Sequence, residues 1–321
     1  MKAVFINQIG GVEALQYGDF EKPSPATGQV LVKLAASGVN YIDTYHRGGL
    51  YKIPLPAVLG TEGAGVVEAL GEGVTEFKRG DRVAYAMSRG SYAEYAAVPV
   101  NNLVHVPEGV ELLTAAAAML QGMTAHYLTH TTFPLAQSHT ALVHAAAGGT
   151  GRLVVQMAKL RGARVIATTG SAAKAEVARK AGADEVILYN DVDFVGEVKR
   201  LTGGKGVDVV YDGVGQATFL KSLDCLRPRG MMVFFGQSSG PVAPIDPLVL
   251  MSKGALFLTR PSLANYGSRE EVLRQSGDVF RWILEKKLDL LIGRVYPLSD
   301  AAQAHRDLEG RKTTGKLVLE I

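Results

Sequence analysis

The feature that most constrains this chain is a change of period across a few glycines. Residues 140–146 form an apolar run short enough for a buried parallel strand, and beyond Gly151 the residues Leu153, Gln156, Met157 and Leu160 recur at helical spacing. Between them lies Ala146-Ala-Gly-Gly-Thr-Gly151. A strand that turns at once into a helix needs backbone freedom that glycine supplies cheaply, and Gly148, Gly149, Thr150 and Gly151 present peptide N–H groups at the helix start, where an anion binds. The stretch reads as the pyrophosphate half of a dinucleotide site. The pattern G-x-G-x-x-G carries Ala146 in its first place, so a turn that merely packs a helix on a sheet is the alternative.

The chain beyond residue 160 favours the nucleotide reading. Strand-like and helix-like segments alternate: strands over 164–169, 185–188, 207–212 and 231–235, helices over 172–181, 193–202 and 216–226. That alternation predicts an α/β fold with a doubly wound parallel sheet. Residues 1–125 are different, with short strands expected at 2–6, 29–34, 64–70, 82–85 and 92–98 between Gly- and Pro-containing turns. A helix begins at 111–119. After a strand at 255–259, Arg260-Pro-Ser marks an exit, residues 269–286 form an amphipathic helix with Val272, Phe280, Ile283 and Leu284 inward, and a short helix precedes a final strand at 317–320. The expected organisation is a dinucleotide domain, 126–261, inserted into a β-rich domain of residues 1–125 that 262–321 complete.

Charge and cysteine usage exclude several classes. The 34 basic and 31 acidic residues are interspersed, so no basic face argues for nucleic acid. One cysteine, Cys225, allows no internal disulfide and no multi-cysteine metal site, which suits a reducing compartment. The amino terminus lacks the long apolar run of a signal peptide, and no segment approaches the ~20 apolar residues of a bilayer span. A soluble cytoplasmic protein with no membrane association is expected.

Ser138-His139, Leu142, Ala146-Ala-Gly-Gly-Thr-Gly151, Gln156 and Lys159 fall at the spacing of the quinone oxidoreductase signature of the medium-chain dehydrogenase/reductase superfamily, the zeta-crystallin-like branch. The resemblance extends through Gly38-Val-Asn-Tyr-Ile-Asp43, Gly60-Thr-Glu-Gly-Ala-Gly65, Gly80-Asp-Arg-Val83, Tyr211-Asp-Gly-Val-Gly215 and Phe235-Gly-Gln-Ser-Ser-Gly240. It implies a GroES-like β-rich catalytic domain with a Rossmann domain, NADPH as hydride donor, a small quinone as acceptor and a homodimer. In the zinc-dependent branch, three metal ligands fall at the places held here by Asn40, Thr61 and Gln121, none of them a good zinc ligand. Glu62 alone remains. His126 and His130 stand four apart on a helix, but without a third ligand a surface or capping role is preferred. No metal is expected.

Cofactor choice is a matter of charge. An NAD site places an acid about 20 residues beyond the glycines, whereas Thr168-Thr-Gly-Ser171 ends the second strand without one. Ser171 and Lys174 suit a 2′-phosphate, and Tyr189 resembles the family's adenosine-side tyrosine. The resemblance places Asn40, Thr124 and the turn of Phe235, Gly236 and Ser238 around the nicotinamide and its ribose. Tyr41, Tyr45 and Tyr51 offer flat faces with polar tips for an aromatic acceptor in the cleft between the domains. Tyr45, Tyr51 or water donates the proton. Reduction of a quinone by NADPH is the expected function, with reduction of activated alkenes, or a non-catalytic NADPH-binding structural or RNA-associated role, as the alternatives.

Overall fold

In a computed structural model that describes all 321 residues, the chain parts into two units. One comprises Met1–Met123, Tyr266–Lys286 and Leu290–Ile321, the other Thr124–Asn265 with Lys287–Asp289.

The second unit is a six-stranded sheet in the order Glu185–Leu188, Arg164–Thr169, Thr140–Val143, Val207–Asp212, Leu226–Phe234, Phe257–Thr259, with every pair parallel. Counted along the unit this is 3-2-1-4-5-6, the doubly wound order. Leu142, Ile166, Val207, Val210 and Met232 are buried in it, as strands covered on both faces require. The order reverses between Thr140–Val143 and Val207–Asp212, so the carboxyl ends of these two strands flank the crevice where such sheets bind ligand.

Within this unit the first strand and the segment 216–226 differ from the sequence expectation. The first strand ends at Val143, because Ala145 adopts a φ of 50° and turns the chain toward the helix Gly149–Leu160. Residues 216–226 are helical only over Phe219–Leu223. Asp212 Oδ1 accepts from the amides of Val214 and Gly215 and its Oδ2 accepts from the Thr218 hydroxyl, which winds 213–218 into a turn; the Val207 amide then donates to Cys225 O and draws the next residues into the sheet. Cys225 is buried, and burial pushes its thiol up to about 12.

The first unit is built on Gln29–Val39, which pairs antiparallel with Glu62–Leu70, with Tyr95–Pro99 and with the carboxyl-terminal strand Lys316–Glu320. That strand extends past residue 34 because Ser37, Gly38 and Val39 pair with Leu319, Val318 and Leu317. Ile292–Pro297, which the sequence did not suggest, lies parallel beside Lys316–Glu320. A second sheet joins Lys2–Ile6 to Gln16–Asp19 and Ala57–Val58. In the helix Arg269–Leu284, Val272, Ser276, Val279 and Phe280 are buried but Leu284 is 45% exposed. At 3.6 residues per turn Leu284 lies about 120° round the axis from Val272, off the buried stripe. His126 is fully buried and stacks on His130 with centroids 4.4 Å apart, so the surface role expected of it is corrected. No helix is long and apolar enough to cross a membrane.

Candidate active site

The glycine turn of the second unit is built for close approach. Gly148 caps the helix Gly149–Leu160 without a side-chain bond, no acid lies in the first turn, and the first helical bond runs from the Arg152 amide to Gly148 O. The amides of Gly149, Thr150 and Gly151 therefore precede the intrahelical ladder, at the positive end of the helix dipole. Gly151 seats this helix on the turn: a Cβ there would stand 2.4 Å from Ala145 O, whereas one on Gly148 would stand 3.2 Å from the same oxygen.

At the end of the neighbouring strand, Ser171 caps the helix Ala172–Lys180, its hydroxyl accepting from the Lys174 amide at 3.4 Å. Tyr189 closes on this corner. A Cβ on Gly170 would meet Tyr189 Oη at 2.9 Å, and Asn190 Nδ2 donates to Gly170 O at 2.8 Å. Gly170, Ser171, Lys174 and Tyr189 are thus brought together, and no carboxylate stands among residues 168–171.

Across the sheet's turning point, the loop at 235–240 lies on the loop at 213–217. The Ser238 amide donates to Gly213 O, and the Phe235 ring lies so near Gly213 that a Cβ there would stand 2.9 Å from it. A Cβ on Gly236 would likewise stand 2.9 Å from Gly213 O. Thr124 is buried, and opens the second unit. Sequence reasoning missed the bridge beneath these loops. His144 Nδ1 meets Thr168 Oγ1 at 2.8 Å and its Nε2 meets Ser222 Oγ at 2.9 Å. Burial holds this imidazole below its usual value, in the neutral form that can donate from one nitrogen and accept at the other. His144 stood next to the glycine motif; its partners, 24 and 78 residues away, gave no local signal.

In the first unit the helix Tyr41–Arg47 carries Tyr41 and Tyr45, and Tyr51 follows in the turn beyond it. At the helix start the Asn40 amide donates to Asp43 Oδ2 and the Asp43 amide donates to Asn40 O. At its other end Arg47 forms a two-pronged ion pair with Glu309 and donates to His305 Nδ1 at 3.0 Å, and Tyr41 Oη donates to Leu308 O. Because arginine only donates, His305 carries its proton on Nε2, which is directed at Tyr92 Oη, 3.1 Å away; Tyr92 in turn donates to Asp43 Oδ2. Burial pushes Asp43 up to about 6 and His305 down to about 3. On this fixed helix Tyr45 meets Tyr51 edge to face, centroids 5.4 Å apart, with Tyr51 38% exposed. Tyr41, whose hydroxyl donates to the Leu308 carbonyl, ties the helix down.

Asn40 is committed inside the same unit. Its Oδ1 accepts from Lys316 Nζ at 2.7 Å and Gln121 Nε2 at 3.2 Å, and its Nδ2 donates to Glu62 Oε2 at 2.8 Å and Gly38 O at 3.3 Å. Its four side-chain positions are taken, so a contact from this amide to nicotinamide requires one of them to be given up. Thr61 donates to Asp43 Oδ1. These are the places where a metal would be held in the zinc-dependent branch, and the donors do not suit one. An amide oxygen under an ammonium, a hydroxyl bound to a carboxylate and a second amide make a poor zinc site, and no three His, Cys, Asp or Glu side chains converge anywhere in the chain.

Comparison with known proteins bears on this arrangement. Residues 26–108 match the alcohol dehydrogenase GroES-like domain and residues 149–271 the zinc-binding dehydrogenase domain. A quinone oxidoreductase of Pseudomonas aeruginosa is 45% identical over 99% of this chain and 99% of its own. The crystal structure of Escherichia coli quinone oxidoreductase complexed with NADPH superposes with a TM-score of 0.98 at 43% identity, covering 100% of both chains. A 2-haloacrylate reductase of a Burkholderia species is 42% identical over 99% of this chain and 98% of its own.

Proposed function

The chain belongs to the quinone oxidoreductases of the medium-chain dehydrogenase/reductase superfamily, and on that premise we propose that it reduces a small quinone with NADPH and without a metal. The observation that supports the cofactor is the end of the second strand, where residues 168–171 carry no acid, Tyr189 lies against Gly170, and Ser171 caps a helix with Lys174 in its first turn, a composition suited to a 2′-phosphate. Gly148, Gly149, Thr150 and Gly151 would hold the pyrophosphate by backbone amides, and Thr124, Phe235, Gly236 and Ser238 would border the nicotinamide, as would Asn40 on releasing one of its side-chain partners. NADPH supplies the hydride. The protein orients the cofactor, stacks the acceptor and excludes water.

Loss of the metal is consistent with this acceptor. A reduced quinone carries a delocalised, phenol-like oxyanion that needs less stabilisation than a simple alkoxide. Tyr45 and Tyr51 present an edge-to-face pair suited to a flat ring, and one of them or water returns the proton. The test is NADPH oxidation against substituted 1,4-benzoquinones, enals and no acceptor, with NADPH deuterated at the transferring C4 position. A primary isotope effect in single turnover with the quinone, insensitive to chelators, is expected. Tight NADPH binding without quinone turnover would overturn the reading. The relationship to the 2-haloacrylate reductase favours reduction of activated alkenes as the second reading, and rapid turnover of an enal alone would select it.

The reading includes a homodimer. Phe257–Thr259 is an edge strand of the six-stranded sheet, with Phe257 56% and Met251 66% exposed, and an uncovered apolar edge calls for a partner. Sedimentation at micromolar concentration should give twice the chain mass, and Phe257→Asp with Met251→Glu should give the monomer. It also includes a cytoplasmic location, supported by the single buried cysteine and tested by fractionation of the source cells.

A further inference from the structure

Where three side chains would hold a metal in zinc-dependent relatives, the first unit holds a cation of its own. Lys316 Nζ is 2.5 Å from Glu62 Oε2 and 2.7 Å from Asn40 Oδ1, with the lysine side chain 2% and the glutamate 0% exposed. Glu62 is held at its other oxygen by the Leu120 amide at 2.6 Å. The strand makes room for the carboxylate: a Cβ on Gly38 would stand 2.2 Å from Glu62 Oε2.

This arrangement fixes two amide groups whose oxygen and nitrogen would otherwise be interchangeable. An ammonium has three donors and no acceptor, so the Asn40 atom facing it is the oxygen, and the atom facing the Glu62 carboxylate is the nitrogen. The same Asn40 oxygen meets the Gln121 amide at 3.2 Å, so the Gln121 atom turned toward it is Nε2. Gln121 Oε1 is left pointing the other way. It is buried and has no hydrogen-bond partner in the protein. A buried acceptor is costly to leave unmade, and a ligand that brings a donor there gains what the protein has left unsatisfied.

We propose that Gln121 Oε1 is a ligand-binding acceptor, aimed by the positioning residue Lys316 through Asn40, which takes an O–H or N–H donor of the bound nicotinamide nucleotide or of the reduced acceptor. The inference rests on the NADPH:quinone reading for the identity of its ligands. The donor chemistry is common to both sources: the cofactor offers a carboxamide N–H and ribose hydroxyls, and the reduced acceptor offers its new hydroxyl.

The test separates the sources and the roles. NADPH affinity is read by fluorescence titration without acceptor, and KM and kcat by steady-state turnover of a 1,4-benzoquinone, for wild type, Gln121→Leu, Lys316→Met and the double variant. Gln121→Leu should weaken one readout roughly 3- to 10-fold, the range for one neutral hydrogen bond. A raised NADPH Kd assigns the donor to the cofactor; an unchanged Kd with altered quinone kinetics assigns it to the acceptor. Lys316→Met should shift the same readout in the same direction, and the double variant should match Gln121→Leu, because a glutamine that is gone cannot be misaimed. Unchanged Kd, KM and kcat in Gln121→Leu would overturn the proposal. Losses that add in the double variant would reduce Lys316 to a structural role. If Lys316→Met does not fold, Gln121→Leu alone decides the acceptor site and Lys316→Arg decides the aiming. An arginine that preserves wild-type Kd, KM and kcat, or that shifts the same readout as Gln121→Leu, upholds it, and one that shifts only a different readout overturns it. A wild-type protein that turns over no quinone would count against the proposed function instead, and the NADPH titration would still report on Gln121.

Discussion

Lys316 and Glu62, 254 residues apart, form an ion pair of 2.5 Å from which water is excluded. Opposite charges in such surroundings are tolerated only together. Lys316→Met should therefore destabilise the protein by about 3–5 kcal/mol, and adding Glu62→Gln should restore part of the loss. Calorimetry of the three variants checks this, and a single variant as stable as wild type would show that the pair is not closed to water.

Lys174→Ala should weaken NADPH by one to two powers of ten, since a hydrogen bond to a charged group contributes ~1.5–3 kcal/mol, and ~1.4 kcal/mol is tenfold. NADH affinity should hardly change. Equal losses for both cofactors would place Lys174 outside the phosphate corner.

The two glycines should separate. A Cβ on Gly151 would lie 2.4 Å from backbone, so Gly151→Val should cost stability as well as NADPH binding. The corresponding distance at Gly148 is 3.2 Å, so Gly148→Val should remove NADPH binding with a smaller loss of melting temperature. Fluorescence titration beside circular dichroism distinguishes them. Full affinity in Gly148→Val would mean that the turn does not cradle the pyrophosphate.

Tyr51→Ala should raise the quinone KM more than it lowers kcat if the ring stacks the acceptor, while loss of a proton donor would act on kcat. Tyr51→Phe separates the ring from the hydroxyl. A variant with both constants unchanged would remove Tyr51 from the site.

Acid should destabilise the Asp43–Tyr92–His305 chain through its histidine. His305 is pushed down to about 3 from an ordinary 6.5, so the stability it contributes is present above 6.5 and is lost as pH falls toward 3. Asp43, pushed up to about 6 from 3.8, acts in the opposite sense, its contribution being full below 3.8 and lost as pH rises through 6. The histidine shift is the larger, and His144, also lowered by burial, adds to it. Melting temperature should drop between pH 7.5 and 5, and drop less in His305→Gln. Equal drops would show that His305 does not set the acid limit.

Much of the fold was legible because it is written in local chemistry. The change of period at Gly148–Gly151 places strand, turn and helix within a dozen residues, and each property involved, burial on two faces, backbone freedom or a free amide, belongs to the residue itself. The missing acid at 168–171 and the poor zinc donors at 40, 61 and 121 could likewise be read from residue types. Where a segment's state depends on remote partners, local reading failed. The helix Phe219–Leu223 stops short of 226 where Cys225 O meets the Val207 amide, and Leu284 carries an apolar side chain on an outward-facing angle.

What a few neighbouring residues write locally is the glycine turn with its strand and helix, because backbone freedom and free amides at a helix start belong to the residues themselves. The Lys316 cluster depends on the fold. Lys316 reads as an ordinary strand lysine and Gln121 as an ordinary helix glutamine. Pairing of Lys316–Glu320 with Gln29–Val39 brings the ammonium onto Asn40 and Glu62. An amide's direction is set by the charges it faces, and those charges come from strands and helices that meet only in the folded chain.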